Sequence, residues 1–328
     1  MEIININNHN TKNQTLQDFY TDHKGRTKER PWKLKKEKSL HLADVYERTG
    51  FARYADRVRE CGCQLQFQRE IESGKMRIQS AMLCHVRLCP MCNWRRSLKI
   101  FHEVSKVMDG CINRESNLRP IFLTLTVKNC NGQDLDETIK HIFKSWKTLT
   151  EHRQFRDNIK GWFRALEVTY SEKHSNYHPH IHCILLVDKS YFDKSNKKYI
   201  DQPRWQHLWR TSAKLDYDPI VDIRKVKNHK NHKAVAEVAK YTTKDSDYLK
   251  PNDQLTDSIV TTLTNALYRK RLYAYGGIMK IIAKELDALT PDEGNLVNID
   301  EDVIRDDVAY AIETYRWTSG ASDYIRRR

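Results

Sequence analysis

An α+β fold with antiparallel strand pairing is predicted by three features of the chain. Residues 119–128 alternate in polarity with a period of two, placing Ile121, Leu123, Leu125 and Val127 on one face and Phe122, Thr124 and Thr126 on the other. Two further strand-like runs, Trp162 to Tyr170 and Ile181 to Val187, follow one another with a short connection, which favours an antiparallel pair. Between and after them lie stretches of helical period, among them one that runs through Ile139, Ile142, Phe143, Trp146 and Leu149 with Asp134 as its cap.

The chain begins with about 40 polar and basic residues, expected to form a mobile arm. From His41 onward Leu42, Val45, Tyr46, Phe51, Tyr54 and Val58 fall at roughly helical spacing. Next come Cys61, Cys63, Cys84 and the knuckle Cys89-Pro90-Met91-Cys92, followed by Trp94-Arg95-Arg96. Four thiolates around such a knuckle suit tetrahedral zinc, since backbone N–H groups of the turn support the sulfurs. Five cysteines compete for four places; Cys61, Cys84, Cys89 and Cys92 are the chosen set, with Cys63 the substitute for Cys61.

Glu167 sits inside the apolar run Ala165-Leu166-Glu167-Val168, a costly place for a carboxylate unless it is paired or binds a cation. His180 and His182 are two apart in the next strand and share a face, which makes them half of a divalent-metal site or an acid–base pair; two satisfied histidines at a sheet edge would look the same in isolation. Pairing of the two strands would bring Glu167 to the histidines as a third ligand. After a helix around Trp205 to Leu215 and a strand from Ile220 to Val226, Asn231 opens a helix in which Glu237, Tyr241 and Lys244 project from one side.

Composition narrows the function. The 328 residues carry 57 Lys+Arg against 43 Asp+Glu, a formal charge of +14, the balance of a protein that meets a polyanion, with nucleic acid foremost. Basic residues concentrate in Lys24 to Lys38, acidic ones in Glu285 to Asp307. No apolar run approaches the ~18 residues of a membrane span and the N-terminus lacks a signal pattern, so a cytoplasmic protein with no membrane partner and reduced cysteines is expected. Neither G-x-x-x-x-G-K-[ST] nor G-x-G-x-x-G occurs, so the chain is not expected to unwind DNA by itself.

Taken in order, Phe122-Leu-Thr-Leu-Thr126, His178-Pro-His-Ile-His182 and Glu237-Val-Ala-Lys-Tyr241 resemble the three motifs of the HUH-endonuclease superfamily, specifically the rolling-circle replication initiators of small Gram-positive plasmids. Cys84 and Cys89-Pro-Met-Cys-Asn-Trp-Arg-Arg96 resemble the segment upstream of those motifs in that branch. The resemblance implies an antiparallel sheet of about five strands with the histidines on a central strand and the tyrosine helix across that face. It implies that Tyr241 nicks one strand of plasmid origin DNA and becomes 5′-phosphotyrosine, that His180, His182 and Glu167 hold Mg²⁺ or Mn²⁺, and that Glu237 activates water to end replication. Lys244 resembles the lysine of a Y-x-x-K pattern and would steady phosphate charge. A host helicase and polymerase are the implied partners, together with a second copy in a homodimer.

The expected organisation is a basic arm over 1–40, a zinc-binding module over 41–112, a nicking and joining domain over 113–250 and a mainly helical region over 251–328. An HUH transposase or relaxase fits less well, because relaxases carry three histidines with an N-terminal tyrosine and small transposases lack the cysteine module. A zinc-dependent DNA-binding regulator accounts for charge and cysteines and leaves Glu167, the histidine pair and Tyr241 unexplained.

Overall fold

The computed structural model describes residues 15–21, 25–193, 198–226, 235, 239, 243–290, 294–297, 299 and 309–327. A small hairpin, β1 (Phe19–Thr21) and β2 (Thr27–Glu29), leads into helices α1 (Trp32–Arg48) and α2 (Ala52–Glu60). Strands β3 (Gln64–Glu70) and β4 (Met76–Ala81) follow, then the long helix α3 (Pro90–Arg114) and strand β5 (Leu118–Thr126). Helices α4 (Leu135–Glu151) and α5 (Arg153–Asn158) precede the long strands β6 (Ile159–Ser171) and β7 (Asn176–Asp188). The chain continues through α6 (Gln202–Ser212), β8 (Val221–Lys225), α7 (Asp245–Tyr248), α8 (Asp253–Ala266), β9 (Tyr273–Gly277) and α9 (Ile278–Glu285), and closes with β10 (Tyr310–Thr318) and β11 (Asp323–Arg327).

The central layer is a five-stranded antiparallel sheet in the order β8-β5-β7-β6-β9, so the histidine strand β7 is in the middle, as expected. Its aliphatic run from Cys183 to Val187 is fully buried, as befits a strand covered on both faces. Helix α4 buries Ile139, Ile142, Trp146 and Leu149 along one stripe, and Trp146 meets Trp162 of β6 edge-on at 5.1 Å. Asp134 does not cap this helix through its side chain; it ends a short 3₁₀ turn over Gly132–Asp134 that leads into it.

A second sheet, β11-β10-β3-β4, belongs to the cysteine-bearing part of the chain. Trp32 anchors that part: its indole N–H donates to Asp18 at 2.8 Å, and its ring meets Phe67 and Trp94 edge-on. One boundary expected from the sequence shifts accordingly. Helix α1 starts at Trp32, so the last residues of the 1–40 arm are ordered helix with Lys35, Lys36 and Ser39 buried; residues 1–14 lie outside the described residues.

The region after residue 250 is mixed rather than mainly helical. Strand β9 is an edge of the five-stranded sheet, and β10 pairs with β3 in the register Glu313↔Phe67, so the C-terminal strands complete sheets begun elsewhere. The pattern is hidden in sequence because Glu313 is a buried strand carboxylate held by Arg69 (3.0 Å) and Arg326 (3.1 Å), and reads as polar. No helix among the described residues is long and apolar enough to cross a membrane.

Candidate metal centres and catalytic site

Register places the first cluster. On β6 and β7, Glu167 stands opposite His180 and Ala165 opposite His182; on the other side of β7, Thr126 of β5 stands opposite His180 and Thr124 opposite His182. Because side chains alternate, Glu167, His180, His182 and Thr124 emerge on one face of the sheet. The Glu167 Oε2 atom lies 2.9 Å from His182 Nε2 and 3.5 Å from His180 Nε2, and the two Nε2 atoms are 3.2 Å apart.

The outer nitrogens are also engaged. His180 Nδ1 donates to the His178 carbonyl at 3.1 Å, while His182 Nδ1 shares a hydrogen bond of 2.9 Å with the Thr124 hydroxyl, and Phe122 stacks on the His182 ring at 5.4 Å. With Nδ1 of His180 donating outward, its Nε2 is the nitrogen that faces the cluster, where it donates to Glu167 when protonated and would offer a lone pair to a cation when neutral. His178 turns away from that point: its Nδ1 donates to Asn129 Oδ1 at 2.7 Å and its ring stacks on His180, so it supports the pair instead of completing it.

The triad fits a six-coordinate divalent cation. Three neighbouring ligands on an octahedral ion at about 2.1 Å would stand about 3.0 Å apart, close to the 2.9, 3.2 and 3.5 Å separations found. Three protein ligands would leave such a cation able to take further ligands. Burial works against charge on Glu167, but hydrogen bonds from His180 and His182 overcome it and hold the carboxyl well below the usual range. Glu167 is thus an anion at neutral pH, as a ligand must be.

The second cluster comprises Cys61, Cys84, Cys89 and Cys92, all buried, with the sulfurs within 4.8 Å of one another. Cys89 is the N-cap of α3 and Pro90 occupies its first position, where a fixed φ and a missing N–H cost nothing; Cys92 follows within the first turn, on the positive end of the helix. Separations of 3.5 Å for Cys61 to Cys89 and to Cys92, and 3.6 Å for Cys84 to Cys92, are near the ~3.8 Å edge of a zinc–thiolate tetrahedron. The backbone N–H groups of Cys84, His85 and Val86 donate to these sulfurs at 3.3–3.4 Å. Hydrogen bonds with Cys84, Cys89 and Cys92, together with burial, push the Cys61 thiol well above its ordinary value. At Cys89 burial opposes charge, and hydrogen bonds from Cys61, Cys84, Cys92 and Ser39 more than compensate. Cys63 lies outside the cluster, with its sulfur 3.1 Å from Lys36 Nζ, so of the two cysteines it is Cys61 that lies with Cys84, Cys89 and Cys92.

Residues 75–325 match the family described as Replication protein. The chain belongs to that family. This replication protein is 40% identical over 284 residues to a "Protein rep" of Streptococcus pneumoniae serotype 2, covering 86% of this chain and 87% of the other. It is 37% identical over 326 residues to a "Protein rep" of Bacillus amyloliquefaciens (91% and 94% covered) and 32% identical over 319 residues to one of Lactiplantibacillus plantarum (94% and 99%). No solved structure matches the replication protein.

Of the predicted catalytic residues, Glu237 and Tyr241 lie outside the described residues. Val235 and Ala239 between and before them are buried, with the Ala239 N–H donating to the Val235 carbonyl at 2.8 Å, the bond of a helical turn. Lys244 is described: its Nζ stands 3.7 Å from Glu167 Oε1. Two nearby tyrosines are committed elsewhere. Tyr248 is fully buried and donates to the Leu88 carbonyl, and the Tyr217 hydroxyl accepts the Lys128 N–H at 2.8 Å. Sequence reasoning missed Thr124, Phe122 and Asn129 as supports of the histidines. The alternation in 119–128 put Phe122 and Thr124 on one face, but only strand register could match that face to His182.

Proposed function

We propose that this replication protein initiates rolling-circle replication of a plasmid by nicking one strand of the origin with Tyr241. The observation that carries the reading is the 3.7 Å approach of Lys244, three residues past Tyr241, to Glu167 of the Glu167–His180–His182 triad. A phosphodiester bound there would meet a cationic side chain and the triad at once.

The Tyr241 hydroxyl oxygen attacks phosphorus, its proton passing to solvent; the bond to the 3′ oxygen breaks and that oxygen takes a proton from solvent, leaving a 5′-phosphotyrosine and a free 3′-OH that primes synthesis. Mg²⁺ or Mn²⁺ held by His180, His182 and Glu167 supplies Lewis-acid polarisation of the phosphate when bound. Lys244 offsets phosphate charge in the same place. The phosphotyrosine keeps the energy of the broken ester, so rejoining needs no nucleotide, in keeping with a chain that has no phosphate-binding loop. Extension and unwinding then fall to a host polymerase and helicase. Glu237, one helical turn before Tyr241, acts as general base on water for the hydrolytic cut that ends the round. Zinc bound by Cys61, Cys84, Cys89 and Cys92 has a structural role.

The test is incubation with single-stranded origin DNA and Mn²⁺, followed by denaturing electrophoresis and peptide mass spectrometry. A covalent adduct at Tyr241, absent from Tyr241→Phe, is expected. An adduct on Tyr217 or Tyr248, or cleavage without any adduct, would overturn the assignment.

A further inference from the structure

A groove away from the Glu167 triad is bounded by α2, the loop 85–88 of the cysteine module and the end of α8. Its outer part encloses about 680 Å³, within the roughly 300–1,000 Å³ of sites that hold a small organic group. Phe51, Tyr54 and Tyr268 form its aromatic walls. Phe51 and Tyr54 are nearly parallel, 12° apart at 6.1 Å, and Tyr268 is 55% exposed despite its size.

Arg53, Arg57, Arg87 and Arg269 line the groove as well, and no carboxylate is among the described lining residues, although the chain contains 43 Asp and Glu. The Arg269 guanidinium sits 5.1 Å from the Tyr268 ring centroid, a cation–π arrangement that braces the ring at the surface. Two lining residues without the freedom of glycine, His85 and Arg269, have φ of +55° and +52°, a conformation that costs energy and must be held by its surroundings. Inward, the groove reaches Arg87 and Leu88, which also line a narrower cleft with Arg96 and Thr243. Thr243 is buried, its hydroxyl lacks a partner among the described residues, and it is two residues past Tyr241.

One exposed ring and two half-buried ones lining the groove together with arginines, with no acid among the described lining residues, match a polyanion that offers flat apolar faces. Single-stranded nucleic acid has both properties; a duplex hides its base faces and leaves such rings nothing to stack upon. We infer that this groove is a second binding site, for the single DNA strand that leads to or from the catalytic segment, with Tyr54 and Tyr268 stacking bases and Arg53 and Arg269 meeting phosphates. The choice of DNA rests on the proposed nicking function; the choice of a single strand rests on the groove itself.

The experiment measures fluorescence anisotropy of labelled oligothymidine, which has no origin sequence, with the full chain and no added divalent metal, so that no cleavage enters. Tyr268→Ala should weaken binding about tenfold while Tyr268→Phe stays near wild type. Arg53→Ala should flatten the dependence of log affinity on log salt by about 0.7 for each phosphate that is no longer neutralised. A duplex of equal length should bind without sensitivity to Tyr268. Unchanged oligothymidine binding by Tyr268→Ala, or an equal loss for duplex, would overturn the inference. Tighter, Tyr268-dependent binding of polyglutamate than of oligothymidine would overturn it by assigning the groove to an acidic peptide. Should Tyr268→Ala lower the melting temperature, the salt slope of Arg53→Ala, at an exposed site, decides alone. Because adduct formation plays no part, the outcome is separable from that of the Tyr241 test.

Discussion

Thr124→Val separates a metal-supporting hydroxyl from a merely structural one. The hydroxyl lies 2.9 Å from His182 Nδ1, and the two residues are directly paired across β5 and β7, so backbone register fixes the contact. Valine has the same shape and a high strand propensity, so the sheet should tolerate it. What is lost is the partner that orients the imidazole and sets the nitrogen facing the triad. Outer partners of this kind are commonly worth about 10–100-fold in metal affinity, or about 1.4–2.7 kcal/mol.

Titration of the purified protein with Mn²⁺, read by electron paramagnetic resonance of the free ion, should show that weakening with the melting temperature nearly unchanged. Thr126→Val is the control two residues along the same face. Its hydroxyl donates to the Ile220 carbonyl at 2.9 Å, so its loss should cost about 0.5–1.5 kcal/mol of stability and leave Mn²⁺ affinity alone. If Thr124→Val binds Mn²⁺ like wild type, the hydroxyl does not support a metal ligand and the reasoning from register is wrong.

Cys92→Ser should lower zinc content measured by elemental analysis and destabilise the first 110 or so residues most, since structural zinc contributes on the order of 10 kcal/mol to folding; full zinc occupancy in the variant would refute the four-sulfur site. Asp245, gripped by Lys35 at 2.6 Å and Lys38 at 2.9 Å, ties the residue after Lys244 to helix α1. Burial opposes its charge, but those lysines overcome it and hold its carboxyl below the usual range, so its contribution is complete above about pH 4 and disappears as pH falls through the lowered value. Asp245→Asn should therefore cost about 1–2 kcal/mol at pH 7, reduced from a fully buried pair by the partial exposure of Lys38, and the gap to wild type in urea melts should close in acid. A gap independent of pH would show that packing, not charge, is responsible. Gly276 faces Trp162 across β6 and β9, and a Cβ there would overlap the indole; Gly276→Ala should cost about 1–3 kcal/mol by displacing a ring that packs on Trp146, seen as a lower melting temperature and altered tryptophan fluorescence.

Local chemistry was enough to find what is periodic or reactive in this chain. The alternation of 119–128 and the apolar run Ile181–Val187 identified strands because a pleated backbone forces side chains to alternate or to be buried together. The spacing of His180 and His182, the isolation of Glu167 and the knuckle Cys89–Cys92 marked residues that the structure gathers into two groups able to hold a metal ion, since such side chains are costly to bury unless they share a ligand. Three motifs in order were enough to indicate the family of replication proteins.

Tertiary structure alone decided what depends on partners distant in the chain. Cys61 joins the cluster and Cys63 does not, because the turn after α2 directs one sulfur toward α3 and the other toward Lys36. Thr124 meets His182 through a register that no local pattern encodes. Strands β10 and β11 were illegible for the same reason: Glu313 is a polar letter in the sequence, and becomes a core residue only where Arg69 and Arg326 meet it. Hydrophobic period reports how one segment divides between inside and outside, whereas pairing across hundreds of residues is set by the free energy of the assembled whole.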